Sequence, residues 1–166
     1  MNVKRIVLIL AVMAALAALA TVAFARSTES AGRARLVGTW KITVAESATG
    51  LPPFEALQTF NADGTMTETS SLLGKSQEGP AHGVWRREGD QYLSTFYLFV
   101  FDENGDSAGM VRVRARIHLD GPDHLTAQTA VDFIEPDGTI IPDIDSGPFE
   151  GTRLKVEPIQ QQNRDQ

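Results

Sequence analysis

From Leu36 onward the chain alternates apolar and polar residues, and clusters of turn-forming residues interrupt the alternation roughly every 8–12 residues. Period two sends successive side chains to opposite faces of a pleated strand. No segment after Val22 sustains a helical period. A chain built this way can dry one face of every strand only by packing a sheet against another sheet or closing it on itself. The alternation predicts strands over residues 36–44, 57–60, 65–70, 83–87, 92–101, 110–119, 125–134 and 149–156, with 139–141 too short to count alone. Most are separated by short turns, such as Asn61-Ala62-Asp63-Gly64, Glu88-Gly89-Asp90 and Asp120-Gly121-Pro122-Asp123. Glycine in these turns supplies positive φ. Short hairpins in series favour an up-and-down meander, so the expected fold is all-β, an antiparallel barrel of about eight strands. A closed barrel of that size is either filled by its side chains or holds one small ligand.

One hairpin can be registered residue by residue. Val111, Val113, Ala115, Ile117 and Leu119 share a face, and Arg112, Arg114, Arg116 and His118 share the other. Pairing Leu119 with Leu125 sets Val113 opposite Val131, Val111 opposite Phe133, Arg112 opposite Asp132 and Arg116 opposite Gln128. A slip of one residue would set arginines beside Leu125, Ala127 and Val131, so burial selects the first register. The basic ladder then reads as a solvated exterior, because charged side chains are rarely buried unpaired. The strand over 92–101 behaves differently: Phe96, Leu98 and Val100 lie on one face, and Tyr97, Phe99 and Phe101 on the other. Its second apolar face calls for a cover, most simply a second copy in a two-fold homodimer.

The N-terminus carries its own message. Lys4 and Arg5 precede an apolar run from Ile6 to Val22, followed by Ala23-Phe24-Ala25. A cationic start, an apolar stretch and a small-x-small site describe a secretory signal peptide over 1–25, with Arg26 as the first mature residue. An uncleaved anchor is the rival reading, since the run approaches the ~17–25 residues that span a bilayer. The Ala-rich composition and the Ala-x-Ala site favour cleavage, leaving no stable membrane anchor. The expected location is therefore periplasmic or extracellular, with a flexible arm over 26–35, a barrel over 36–157 and a disordered tail over 158–166. There is no cysteine, so neither a disulfide nor thiol chemistry is available. Losing Lys4 and Arg5 leaves 13 basic against 21 acidic side chains, a net charge of −8. So acidic a domain is a poor partner for nucleic acid.

The run Leu36-Val37-Gly38-Thr39-Trp40-Lys41-Ile42, then Thr59-Phe60-Asn61-Ala62-Asp63-Gly64-Thr65, then Gly83-Val84-Trp85 before Gly89-Asp90, resembles the bacterial lipocalin-like domains of the calycin superfamily. In lipocalins an arginine near the end of the barrel packs over the tryptophan of the first strand. The resemblance implies that role for Arg153, in Gly151-Thr152-Arg153, closing the barrel with Gly38 and Trp40. Stacking a guanidinium on an indole is physically favourable.

Chemical motifs are few. His82, His118 and His124 form no metal-ligand spacing, so no metal site is assigned. Asp102-Glu103-Asn104-Gly105-Asp106 and Asp143-Ile144-Asp145-Ser146-Gly147 offer oxygens, but lack the distal bidentate glutamate of a calcium loop. No nucleophile elbow, phosphate loop or dinucleotide fingerprint occurs, and no cofactor is implied. The expected function is binding of a small apolar or amphiphilic molecule, with Trp40, Phe60, Trp85, Phe96 and Leu98 as candidate ligand-binding residues. Aromatics at such positions are more often core than binding box. Two alternatives stay open: a small barrel enzyme of isomerase or cyclase type, or a filled barrel serving as an interaction module. For the enzyme, the carboxylate, cation and phenol that could meet are Asp132, Arg112 and Tyr97.

Overall fold

The computed structural model describes residues 35–47, 49–72 and 78–159. Two compact units divide the chain, Met1–Leu36 and Val37–Gln166. In the first, only Arg35 and Leu36 are described, and their backbone is helical. The expected leader over 1–25 and most of the arm lie outside the described residues, as does the tail after Ile159.

The second unit is a closed barrel of eight antiparallel strands in sequence order, with β8 returning to pair with β1. The strands are β1 (Gly38–Val44), β2 (Phe54–Phe60), β3 (Thr65–Ser70), β4 (Ala81–Glu88), β5 (Gln91–Phe101), β6 (Ser107–Leu119), β7 (His124–Ile134) and β8 (Ile140–Arg153). Every neighbouring pair is antiparallel, as a meander of hairpins requires. Closure leaves no unpaired sheet edge to template association with another chain. The β6–β7 register matches the one that burial selects, with Leu119 opposite Leu125, Val113 opposite Val131 and Arg112 opposite Asp132.

Several boundaries differ from the alternation: β2 starts at Phe54 rather than at 57 and β6 at Ser107 rather than at 110. The first strand starts at Gly38 and not at Leu36. The last strand runs from Ile140 to Arg153, where the sequence suggests a scrap at 139–141 and a separate strand from 149. Pro142, Gly147 and Pro148 hide it, since proline cannot donate to a ladder and glycine adds no side-chain pattern. The β7–β8 register also shifts: Phe133 faces Ile141 and Val131 faces Asp145, so residues 142–144 bulge opposite the single Asp132. Asp143 turns this bulge with φ of 51°, a left-handed conformation that Asp tolerates better than most residues.

The interior is packed at one end only. That end carries the turns at 61–64, 89–90 and 120–123, together with the start of β1 and the finish of β8. Trp40, Phe60, Met66, Ile117 and Leu125 are fully buried there, and Trp85 and Tyr92 nearly so. Phe60 meets Trp85 edge-on at 6.0 Å, and Tyr92 lies 6.0 Å from Trp85 on another side. Trp85 Nε1–H is shared between the carbonyls of Asn61 (3.0 Å) and Thr65 (3.1 Å), which ties β4 to the β2–β3 turn. A buried indole N–H thus finds its acceptors.

Arg153 seals this end. Its guanidinium carbon lies 4.1 Å from the Trp40 ring centroid, within cation–π reach. Nε donates to Pro122 O at 2.8 Å and Nη1 to Val37 O at 2.7 Å, so one side chain clasps β8, the β6–β7 turn and the entry to β1. Gly38 makes room for it. A Cβ there would stand 2.7 Å from Arg153 Nη1, and its φ of 133° is itself unfavourable for other residues.

Candidate functional site

The opposite half of the barrel is hollow. A cavity of about 310 Å³ opens among β1–β3, β5–β8 and the loop over 45–53. Its walls are largely apolar, with Ile42, Val44, Ala56, Phe96, Leu98, Val111, Val113, Val131 and Phe149. The loop adds Ala45, Ser47, Thr49 and Leu51. The volume lies at the small end of the ~300–1,000 Å³ typical of ligand sites, which are mostly apolar with a few placed polar groups.

The polar groups here are Gln58, Glu68, Ser70, Glu78, Thr129, Asp145 and Ser146. Gln58 and Glu68 are cross-strand partners on β2 and β3, directly opposite each other and both turned inward. Gln58 Nε2 donates to Glu68 Oε2 at 2.5 Å. Gln58 is 3% exposed, and its Oε1 is buried without a hydrogen-bond partner. Such an orphaned acceptor costs about 1–3 kcal/mol unless something else satisfies it. Burial pushes the Glu68 carboxyl up to about 7; the Gln58 hydrogen bond pulls it down, and the nearby Glu78 pushes it up further. Glu68 therefore exchanges its proton near neutral pH, which few carboxyls do.

The five nominated ligand-binding residues divide. Phe96 and Leu98 line the cavity, whereas Trp40, Phe60 and Trp85 belong to the packed end. The packed end gathers Trp40, Phe60, Trp85 and Tyr92, whereas the hollow half intersperses Phe96 and Phe149 with smaller Val, Ile and Ala. Sequence reasoning does not single out the polar pair Gln58–Glu68. Its signal lay in parity, because Phe60 inward requires Gln58 inward, and Met66 inward requires Glu68 inward.

Asp132, Arg112 and Tyr97 do come together, but on the outer surface. Asp132 accepts from Arg112 Nε at 2.7 Å, from Arg114 Nη2 at 2.8 Å and from the Asp143 backbone N–H at 3.0 Å. Tyr97 lies directly opposite Arg112 across β5 and β6. The Asp132 side chain has no exposed surface although it faces away from the cavity, because the β8 bulge folds over it. Burial raises its carboxyl, but the Asp143 N–H and the two arginines outweigh that and hold it below the usual carboxylate range. The basic ladder is thus an exterior feature that anchors the bulge.

Asp132→Asn is expected to destabilise the fold by about 1–2 kcal/mol, less than a dry pair would give because both arginines are partly solvated. A lowered carboxyl contributes stability above its ordinary value and loses it as pH falls through its folded value. The wild-type advantage over Asp132→Asn in urea melts should therefore shrink below about pH 4.

The second apolar face of β5 is open to solvent. Tyr97, Phe99 and Phe101 are 40%, 55% and 37% exposed, and the Phe99 and Phe101 rings lie 6.4 Å apart. The segment 78–80 borders this face through a Gly79 N–H to Phe99 O hydrogen bond of 2.9 Å. Among the described residues no group of three or more His, Asp or Glu side chains could hold a metal ion. At 102–106, Asp102 Oδ1 accepts the backbone N–H groups of Asn104 (2.8 Å) and Asp106 (2.9 Å), an ordinary turn bond.

No family model matches the sequence, and no curated protein matches it. In structure the chain is similar to the S-type phycobiliprotein lyase CPES from Guillardia theta. It is 12% identical, with a TM-score of 0.37 over 75% of this chain and 92% of that one. The barrel and its cavity stand on the strand pairing and side-chain geometry described above.

Proposed function

We propose that this protein is an exported, lipocalin-like barrel that binds one small apolar or amphiphilic molecule in the cavity enclosed by β1–β3 and β5–β8. The observation that carries this reading is the hollow half itself: apolar walls surround a few convergent polar groups in a barrel otherwise packed with aromatics. A filled interaction module would have no reason to keep this space open, since core voids cost stability. The Trp40–Arg153 closure at the far end leaves the cavity mouth as the route of entry. An enzyme acting on such a molecule is the second reading, and the observation favouring it is the Glu68 carboxyl, raised to about 7 and so able to give and take protons at neutral pH.

Native mass spectrometry of the protein recovered from the cell exterior or periplasm tests the proposal. The expected species begins at Arg26, carries a co-purified small molecule and is dimeric through the Tyr97–Phe99–Phe101 face. Val113→Phe, which fills the cavity from β6, should lose the bound mass while keeping the dimer. Apo protein from every source, unchanged by Val113→Phe and unable to take up any small apolar compound, would refute the binding reading.

A further inference from the structure

Resting on the reading of the cavity as a ligand site, we propose that its ligand is a cation: a small apolar amine whose ammonium hydrogens are accepted by Gln58 Oε1 and the Glu68 carboxylate. Three observations converge. The cavity is lined by three carboxylates, Glu68, Glu78 and Asp145, and by no Lys, Arg or His among the described residues. Gln58 Oε1, on a side chain only 3% exposed, is an acceptor without a donor. The Gln58 amide nitrogen already donates to Glu68 Oε2, so the unpartnered polar atom of this pair is an acceptor, Gln58 Oε1. An anionic ligand would meet repulsion from Glu68 and Asp145 and find no cation among the described residues. A neutral alkyl ligand would leave the orphaned acceptor unsatisfied. An ammonium group answers both, because its hydrogen bonds to carboxylate and amide oxygen are charge-assisted and strengthen in a water-poor site. The apolar body would lie against Phe96, Leu98, Val113 and Val131.

The groups facing Glu68 set the pH behaviour. Gln58 faces it from β2, and uncharged Ala81 pairs with it from β4. Glu78 precedes β4, and Asp145 lines the same cavity from β8. Arg112 and Arg114 are committed to Asp132 on the outer surface. Burial together with Glu78 keeps the Glu68 proton on until about pH 7, so a bound cation must displace that proton. Ammonium affinity should consequently fall as pH drops below about 7, by up to tenfold per pH unit.

Isothermal titration of the purified protein with octylammonium, octan-1-ol and octanoate decides the matter, since the three share one chain and differ only in the head. An alkylamine stays protonated well above neutrality, as lysine does with its value of about 10.4, so the probe itself does not titrate between pH 5 and 8. Octylammonium is expected to bind about 10–100-fold tighter than octan-1-ol at pH 7.5, the range of one charge-assisted hydrogen bond, with octanoate weakest. Glu68→Gln should erase the preference and its pH dependence while octan-1-ol still binds. Octan-1-ol or octanoate binding as tightly as the amine would overturn the cation proposal and leave the ligand-binding reading standing. So would an amine preference that survives Glu68→Gln. Failure of all three to bind would overturn both.

Discussion

Trp40→Ala is expected to lower the unfolding free energy by about 3–5 kcal/mol, the loss typical of a large aromatic deleted from a packed core. Trp40 is fully buried, and its ring is the platform on which Arg153 stacks at 4.1 Å. Removing the indole therefore opens a void at the closed end and strips the guanidinium of its apolar support. Arg153 still reaches Pro122 O and Val37 O, so part of the clasp survives. Arg153→Lys isolates the other side of the contact. Lysine keeps the charge but not the planar face or the forked donors, and about 1–2 kcal/mol should be lost. Urea denaturation followed by circular dichroism measures both. Midpoints unchanged from wild type would mean that this end is not the clasp that closes the barrel.

The second large effect concerns pH. Glu68 rises from its ordinary 4.5 to about 7 in the folded barrel. The folded state then holds a proton that the unfolded chain has released, and stability falls as pH rises between those two values. At 1.36 kcal/mol for each unit, the ionised carboxylate costs the apo fold about 3 kcal/mol above pH 7. This group's contribution is full at and below about pH 4.5, falls between there and about 7, and levels off above. Glu68→Gln should flatten that slope and make the barrel more stable than wild type at pH 8. Urea midpoints collected from pH 4.5 to 8 give the comparison directly. A wild-type slope matching that of the variant would remove Glu68 from the account. The same substitution that stabilises the empty barrel is the one expected to erase the octylammonium preference, a stability–function trade-off characteristic of binding sites.

Much of this is legible in the sequence. The β6–β7 register followed from placing Val111, Val113 and Leu119 on the dry face, because a one-residue slip exposes every one of them. Arg153 over Trp40 was implied by the resemblance of Gly38-x-Trp40 and its distant arginine to lipocalin-like domains, and the contact is present. β8 was only half legible, since Pro142, Gly147 and Pro148 break the pattern by which strands are recognised, and a bulge has no periodic signature. The outward position of Arg112, Tyr97 and Asp132 was legible from alternation, but the full burial of Asp132 was not, because it depends on residues 142–144 looping over it.

By itself, then, the sequence determined most of the strands, which face of each turns inward and that the strands meander through short hairpins, because period two and turn chemistry are local properties. Only the tertiary structure decided where the interior is full and where it is hollow. Trp40, Phe60, Trp85, Phe96 and Leu98 all turn inward, yet the first three plug one end and the last two line a void. It also decided that Gln58 and Glu68 meet inside that void, in a site with no basic residue among those described. Packing, orphaned acceptors and shifted proton affinities depend on what lies opposite across the barrel, and that is fixed by closure rather than by neighbours along the chain.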